Sequence, residues 1–330
     1  MTPGRPALAR RRTPWALAAL GLALALTLFL AARPRAIVAL LAQTHLGGLA
    51  IAFGWAALVA LLRGVRLAIV IRPPLPAARG VSVAAVGQMV VALIPFRLGE
   101  LALVPLLELS GVRGKIRILS YLVSLRLLDI FAVGLWALAT AALTGSRHAT
   151  AAVALALAPI GALAGIVVAF RLLRRVAAGW RVSSGWRREA LRQLLQVRRE
   201  VRHAARSPLL ATGAVCLSAA IWAGIWGLTL ALLAAMSVHW PPATVLVGVV
   251  GAAIGSSLPV NAIGSFGSLE AGWTAALVSA GIPAPQALAT GFATHLWSLV
   301  FTALLGLAGA VVLAIRPLAN PPVPAQATRD

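Results

Sequence analysis

Apolar stretches long enough to cross a lipid bilayer recur along most of the chain. A helix needs about 20 residues to cross a hydrocarbon core of ~30 Å. Hydrophobic residues make up 61% of the chain and its mean hydropathy is +0.94, against roughly 45–50% apolar residues in a soluble domain. We therefore expect an all-α integral membrane protein with about six full transmembrane helices. The unbroken stretches lie at about 14–32, 36–62, 118–143, 150–171, 208–236 and 284–315.

Two further apolar regions, about 80–110 and 243–280, are broken near the middle by residues that end helices. Proline lacks a backbone donor and glycine permits positive φ, so a continuous helix is not expected through these breaks. Non-helical backbone at membrane depth is tolerated only where protein buries it or where it lines a water-filled cavity. The pattern favours two re-entrant helical hairpins, with two tilted spans or one kinked helix in each region as the alternatives. The expected turn residues are Pro95 and Gly99 in the first region and Pro259, Asn261, Gly264 and Gly267 in the second.

The charges of the chain are strongly basic and unevenly distributed. Lys and Arg number 29 against seven Asp and Glu, which gives a net charge of +22. A basic patch of this size in a soluble domain would indicate nucleic acid, but here the basic residues cluster between the apolar spans, so no nucleic acid is expected. Cytoplasmic loops of membrane proteins carry the excess of Lys and Arg. This rule predicts a multi-pass protein of the cell (inner or plasma) membrane with both termini in the cytoplasm.

The same pattern divides the chain into segments. We expect a basic cytoplasmic N-terminus (1–13), a transmembrane domain (14–316) that contains a basic cytoplasmic loop (172–207), and a disordered C-terminal tail (317–330). Within the basic stretch 171–206, the apolar residues Leu191, Leu194, Leu195 and Val197 recur at near-helical spacing, which is typical of an interfacial helix on an anionic lipid surface. Charges that only fix the topology are an equal alternative.

The two broken regions are predicted to have opposite orientations. With the N-terminus inside, the first hairpin enters from the cytoplasmic side and the second from the opposite side. Glu100 to Gly111 and Glu270 to Gly281 span the same distance in the sequence, each with a proline upstream. Inverted repeats with broken helices near the midplane recur in transporters, whose substrates bind at the repeat interface. The sequence therefore predicts a substrate site between the hairpins.

Ionisable residues within or beside the apolar stretches are the candidate site residues. A charge near the bilayer centre costs on the order of 2.5 kcal/mol or more, so such residues are usually paired, hydrated and functional. Arg97 and Glu100 lie three residues apart at the first break. Arg126 and Asp129 are also three apart, in the following span, where they would share a helix face and pair. Glu270 opens the returning half of the second hairpin.

These five side chains are expected to bind the substrate. The planar guanidinium of an arginine binds phosphate oxygens in pairs, so Arg97 and Arg126 suit a phosphate. The carboxylates would orient the arginines, receive a cationic head group or carry a proton. Ion pairs that only hold the hairpins in register are the structural alternative. Glu270 has no basic residue nearby in the sequence, so it must be protonated, solvated or paired from another segment.

Other polar residues in the apolar regions carry weaker signals. Glu108 lies late in its half-helix and is expected to be peripheral, while His295 is expected to be packed or hydrogen-bonded. The single Cys216 offers no disulfide, and the five histidines show no metal-ligand spacing. No nucleophile elbow, phosphate loop or dinucleotide fingerprint occurs in a suitable context. We expect no catalytic residues, no metal site and no cofactor, and we do not expect an enzyme.

The segment 94–100, the Arg126 and Asp129 motif and the segment 258–270 resemble the lysylphosphatidylglycerol synthase transmembrane region family. The likeness covers roughly residues 15–315. The resemblance implies an inner-membrane protein with two re-entrant hairpins that moves lipids between leaflets. Some members carry a soluble aminoacyl transferase domain, which is not expected here, so transfer of an amino acid from tRNA is not expected either.

The function expected from these patterns is that of a lipid flippase or flippase-like transporter. It would move a polar-headed, phosphate-bearing membrane lipid between the leaflets of the inner membrane. The alternative is a non-catalytic membrane subunit or scaffold that supports a partner enzyme of lipid or envelope-glycan synthesis. An integral-membrane transferase is the least favoured interpretation, because no catalytic constellation is visible.

Overall fold

The computed structural model describes residues 12–71, 74–94, 99–144, 208–257 and 262–315. All regular elements in these ranges are helical, which confirms an all-α membrane protein. The helices are α1 (Arg12–Ala31), α2 (Pro34–Ala42), α3 (Leu46–Val70), α4 (Ala77–Leu93), α5 (Gly99–Leu109), α6 (Lys115–Thr144), α7 (Pro208–Ala235), α8 (Pro242–Ser256), α9 (Ser268–Ser279) and α10 (Ala284–Ile315). A 3₁₀ turn, Ile263–Ser265, lies between α8 and α9.

Four helices in the described part are long and apolar enough to cross a membrane, namely α3, α6, α7 and α10. The last three agree with the expected spans at 118–143, 208–236 and 284–315. Many large apolar side chains on these helices are exposed to the surroundings of the protein, among them Leu135 and Leu307. This exposure fits a lipid-facing surface, because lipid rather than water covers apolar groups there. The expected span at 150–171, the basic loop 172–207, most of the basic N-terminus and the tail 317–330 lie outside the described residues.

The expected second span at 36–62 is wrong in its limits. The chain instead bends by 74° between α1 and the short α2, and the long helix begins only at Leu46. His45 ends the interruption, because its side chain accepts a hydrogen bond from the N–H of Gly48 at 3.0 Å. Gln43 Nε2 donates to the carbonyl of Met236 at 2.8 Å, which fixes the break against the end of α7. The membrane-crossing helix is therefore displaced towards the C-terminus and ends at Val70.

Both broken regions form antiparallel helical hairpins. In the first, α4 packs on α5, with Gly87 against Leu103 and Gly99 against Val91. At a rise of 1.5 Å per residue these helices are about 25 and 16 Å long, and α8 and α9 are about 22 and 18 Å long. Each is shorter than the ~30 Å hydrocarbon core. The turn residues Pro95, Pro259 and Asn261 lie outside the described part of the chain.

The second hairpin is held together by very close backbone contact. A Cβ added to Gly255 would lie 2.1 Å from the carbonyl oxygen of Ser268, and one added to Gly272 would lie 2.2 Å from that of Gly251. The helices α8 and α9 can therefore meet only because these positions lack side chains. Past the break, Gly264 and Gly267 adopt φ values of 77° and 111°, a region that L-residues with a Cβ rarely occupy.

The returning helices of the two hairpins end in the same way. A glycine with positive φ follows each helix, Gly111 at 91° and Gly281 at 89°. The N–H after each glycine reaches back to a leucine carbonyl at 3.0 Å, from Val112 to Leu107 and from Ile282 to Leu277. These are the hydrogen bonds of a Schellman cap, which stops a helix and turns the chain sharply. Each cap is followed by a long helix, α6 in the first case and α10 in the second.

The hairpins contact each other through α10 and the 3₁₀ turn. Helix α10 packs against α4 of the first hairpin and against α9 of the second. Gly306 and Gly309 on α10 lie directly against Met89 and Ser82 on α4. The 3₁₀ turn of the second hairpin also contacts α4. The 3₁₀ turn and the start of α5 thereby lie in the same region of the protein.

Candidate functional site

A cavity of about 360 Å³ is lined by residues of both hairpins and of the long helices around them. Helix α3 lines it with one face, at positions 56, 59, 60 and 63, and α10 does so with positions 291, 294, 295 and 298. Gly264 and Ser265 of the 3₁₀ turn complete the wall on the side of the second hairpin. The ionisable and amide side chains on the lining are Arg63, Gln88, Glu100, Arg126 and His295.

Arg126 and Glu100 form a two-pronged ion pair on the cavity wall. Arg126 Nε donates to Glu100 Oε2 at 3.0 Å, and Arg126 Nη2 donates to Glu100 Oε1. Glu100 is the second residue of α5, where the positive end of the helix dipole stabilises a carboxylate. The pair therefore joins the first turn of the returning half-helix to the middle of α6. Two of the expected site residues are brought together here.

Asp129 does not pair with Arg126, contrary to the sequence-based expectation. Its partner is Arg66 on α3, with Arg66 Nη1 and Asp129 Oδ1 2.5 Å apart. The same nitrogen lies 2.8 Å from Ser218 Oγ on α7, and the Arg66 side chain is only 6% exposed. Spacing on α6 could place both residues on one face, but it could not show that α3 supplies a second arginine. The pair joins α3, α6 and α7, and neither member lines the cavity.

Glu270 is fully buried and is paired from another segment. The N–H of Gly267, the residue before α9, donates to Glu270 Oε2 at 2.7 Å. An acidic third residue often caps the start of a helix with this hydrogen bond. The other oxygen, Oε1, lies in hydrogen-bonding contact with His295 Nδ1 on α10. The His295 ring lies on the cavity wall with its centroid 4.6 Å from that of Phe266. Glu270 thus contacts the cavity through His295 rather than directly.

The two hairpins share this arrangement of an acid and a base. In each, a glutamate near the start of the returning half-helix pairs with a basic side chain on the following long helix. The pairs are Glu100 with Arg126 and Glu270 with His295. Spacing alone could have indicated the second pair, because His295 occupies almost the same position after Glu270 as Arg126 does after Glu100.

Arg63 and Gln88 are cavity residues that the sequence did not indicate. Arg63 Nη1 donates to Gln88 Oε1 at 2.7 Å, which links α3 to α4. Because the second span is expected to end at residue 62, Arg63 and Arg66 fall between the expected spans. The apolar pattern continues to Val70, and that continuation was the available signal.

The remaining candidates are placed as follows. Arg97 lies outside the described residues. Gly99 begins α5 and touches the backbone of α4, where an added Cβ would lie 2.5 Å from Val91 Cα. Glu108 is half-buried in the last turn of α5 and is not on the cavity lining. In the described ranges, no three His, Cys, Asp or Glu side chains come together as ligands of a metal ion.

These features define a multi-pass, all-α membrane protein with two broken helical hairpins around a cavity that is lined by apolar and polar side chains. A family model, the lysylphosphatidylglycerol synthase TM region, matches residues 16–306, and the chain belongs to that family. No curated protein and no solved structure matches the chain.

Proposed function

We propose that this protein is a lipid flippase or flippase-like transporter. It moves a polar-headed, phosphate-bearing lipid between the leaflets of the cell membrane, and the head group passes through the cavity while the acyl chains stay in lipid. The observation that carries the proposal is the cavity itself, because residues of both hairpins and the Arg63, Glu100, Arg126 and His295 side chains meet on its wall. Membership of a family of lipid-related membrane regions supports it.

The physical argument concerns the cost of moving a charged head group through lipid. A charge at the bilayer centre costs several kcal/mol, and a phosphate head group in hydrocarbon meets the same penalty. A wall with guanidinium, carboxylate, imidazole and amide groups replaces the water that the head group loses. Hydroxyl groups of Thr229, Ser256 and Ser298 extend this polar lining. The barrier for exchange between leaflets falls accordingly.

The proposal includes an inverted arrangement of the two hairpins. Their returning helices share the glycine caps at 111 and 281 and the acid–base pairs of Glu100 and Glu270. With both termini in the cytoplasm, the first hairpin opens to the cytoplasmic leaflet and the second to the opposite leaflet. A site at such an interface can be exposed to the two sides in turn. The basic loop 171–206 then faces the anionic cytoplasmic surface.

The test is leaflet exchange of fluorescent phosphatidylglycerol in proteoliposomes, measured by dithionite quenching of the outer leaflet. We expect wild-type protein to speed exchange and Glu100→Ala to reduce it to the protein-free rate, because Arg126 loses its partner on the cavity wall. Glu108→Ala is the matched control, since Glu108 lies on the same helix away from the cavity. Variants are compared only where gel filtration shows folded protein.

Two outcomes would count against the proposal. If Glu100→Ala and Glu108→Ala both exchange lipid at the wild-type rate, the cavity is not the path. If wild-type protein gives no exchange at all and instead copurifies with a synthase of lipid or envelope glycan, the scaffold function is correct.

A further inference from the structure

Arg63 differs from the other described arginines of the cavity region because it has no carboxylate partner. Arg126 is bound to Glu100 and Arg66 to Asp129. The Arg63 side chain instead contacts the neutral amide oxygen of Gln88 at 2.7 Å. No ion pair of Arg63 occurs within the described ranges, although Arg63 is half-buried.

The charges around Arg63 are not balanced. Arg63 lies three residues before Arg66 on α3, and Arg126 lies three residues before Asp129 on α6, so the Arg66–Asp129 ion pair brings these four side chains into one cluster. With Glu100, which is bound to Arg126, the described cluster holds three guanidinium groups against two carboxylates. One positive charge is therefore in excess. A guanidinium removed from water is costly unless an anion accompanies it.

The geometry of Arg63 leaves it able to bind an anion. Arg63 Nη1 donates its hydrogen bond to Gln88 Oε1. No other described side chain accepts a hydrogen bond from the remaining N–H groups of the guanidinium. Arg63 lies on the wall of the cavity of about 360 Å³. A guanidinium fork fits two oxygens of a phosphate group, and hydrogen bonds between ions are about twice as strong as neutral ones.

We infer that Arg63, oriented by Gln88, binds the singly charged phosphodiester of a membrane lipid head group in this cavity. The inference rests on the proposed function, because it identifies the ligand chemistry of the same cavity. A phosphodiester carries the one negative charge that the cluster lacks. A soluble phosphate anion has the same chemistry, so the experiment must separate the two sources.

Binding is tested on purified full-length protein in a neutral detergent. The measurement is the midpoint of thermal unfolding as dioleoyl phosphatidylglycerol is added, compared with dioleoylglycerol, which lacks the phosphodiester. Wild-type protein is expected to be stabilised by the phospholipid only. The key variant is Gln88→Glu, which is nearly isosteric with Gln88, keeps the contact with Arg63 and supplies the missing negative charge internally. We expect it to fold and to bind the phospholipid roughly tenfold more weakly or worse.

Further variants separate the charge from the shape of the group. Arg63→Gln should lose the phospholipid response as Gln88→Glu does, and Arg63→Lys should keep only part of it, since an ammonium lacks the fork. Arg35→Gln is the matched control, because Arg35 is exposed on α2. An equal phospholipid response in all of these proteins overturns the inference. Equal stabilisation by inorganic phosphate at the same concentration overturns the lipid assignment.

The exchange assay distinguishes this inference from the proposed function. If the phospholipid response depends on Arg63 but wild-type protein does not exchange lipid, the binding site stands and the transport function fails. If wild-type protein exchanges lipid and Gln88→Glu changes neither exchange nor binding, transport stands and the role of Arg63 fails.

Discussion

Each described pair of acidic and basic side chains in the bundle joins two different helices. Arg66 on α3 reaches Asp129 on α6, and Glu270 on α9 reaches His295 on α10. Such pairs add little net stability compared with apolar packing, but loss of one partner leaves an unpaired charge in the interior. At the scale of single residues, the pair away from the cavity and the pairs on its wall should therefore respond differently to mutation.

The Arg66–Asp129 pair is predicted to be structural. Asp129→Ala should lower the free energy of unfolding by about 3–5 kcal/mol, because Arg66 is only 6% exposed and would keep its charge without a partner. The double variant Arg66→Met with Asp129→Leu should recover much of that loss. Steric trapping in bicelles measures these differences. If the double variant loses as much free energy of unfolding as Arg66→Met and Asp129→Leu lose in sum when each is made alone, the residues do not act as a pair.

The sequence identified most of the ionisable residues near the cavity, but not their partners. Glu100, Arg126, Asp129 and Glu270 stood out because carboxylates and arginines are rare in apolar stretches. Their pairing depends on which helices pack together, and the spacing on a single helix does not contain that information. Arg63 was missed for a different reason, an error in a helix boundary that placed it in a loop.

At the scale of elements, the two hairpins show how small residues decide packing. In α8 and α9 the glycines 251, 255 and 272 bring the helix backbones into contact. The contact holds two helices too short to span the membrane as one unit. It also positions the 3₁₀ turn and Glu270 beside α10.

Gly255→Ala is predicted to disrupt the second hairpin. The new Cβ would lie 2.1 Å from the Ser268 carbonyl oxygen, a backbone atom that cannot move without displacing α9. Overpacking of this kind costs about 1–3 kcal/mol or more. Gly213→Ala on α7 is the control, because nothing lies within 4 Å of the added Cβ and helical alanine is favoured by about 0.5–1 kcal/mol. Thermal unfolding of both variants by fluorescence-detected gel filtration checks this, and equal midpoints would contradict it.

The broken regions were predicted well because proline and glycine act locally. The expected limits 80–110 and 243–280 lie within a few residues of α4–α5 and α8–α9. The break between α2 and α3 was not predicted, since the three polar residues Gln43, Thr44 and His45 lie within an otherwise apolar stretch that was expected to be one span, 36–62. It is stabilised by contacts with the end of α7, which are distant in the sequence.

At the scale of the whole molecule, the cavity exists because the long helices and both hairpins surround one region. Its wall takes residues from α3, α4, α5, α6, α7, α8, α9 and α10. No local pattern could give its volume or its lining, although the prediction of a site between the hairpins indicated its location. The orientation in the membrane and the role of the basic loop stay predictions.

The central claim is that a lipid head group passes through this cavity. It is tested most directly by filling the space without changing any charge. Ala60 lies on the cavity wall and Ala50 is exposed on the same helix, so Ala60→Phe and Ala50→Phe make a matched pair. The measurement is the rate of phosphatidylglycerol exchange in proteoliposomes that contain equal amounts of folded protein. The account predicts that Ala60→Phe falls to the protein-free rate while Ala50→Phe keeps the wild-type rate, and exchange at the wild-type rate by Ala60→Phe would contradict it.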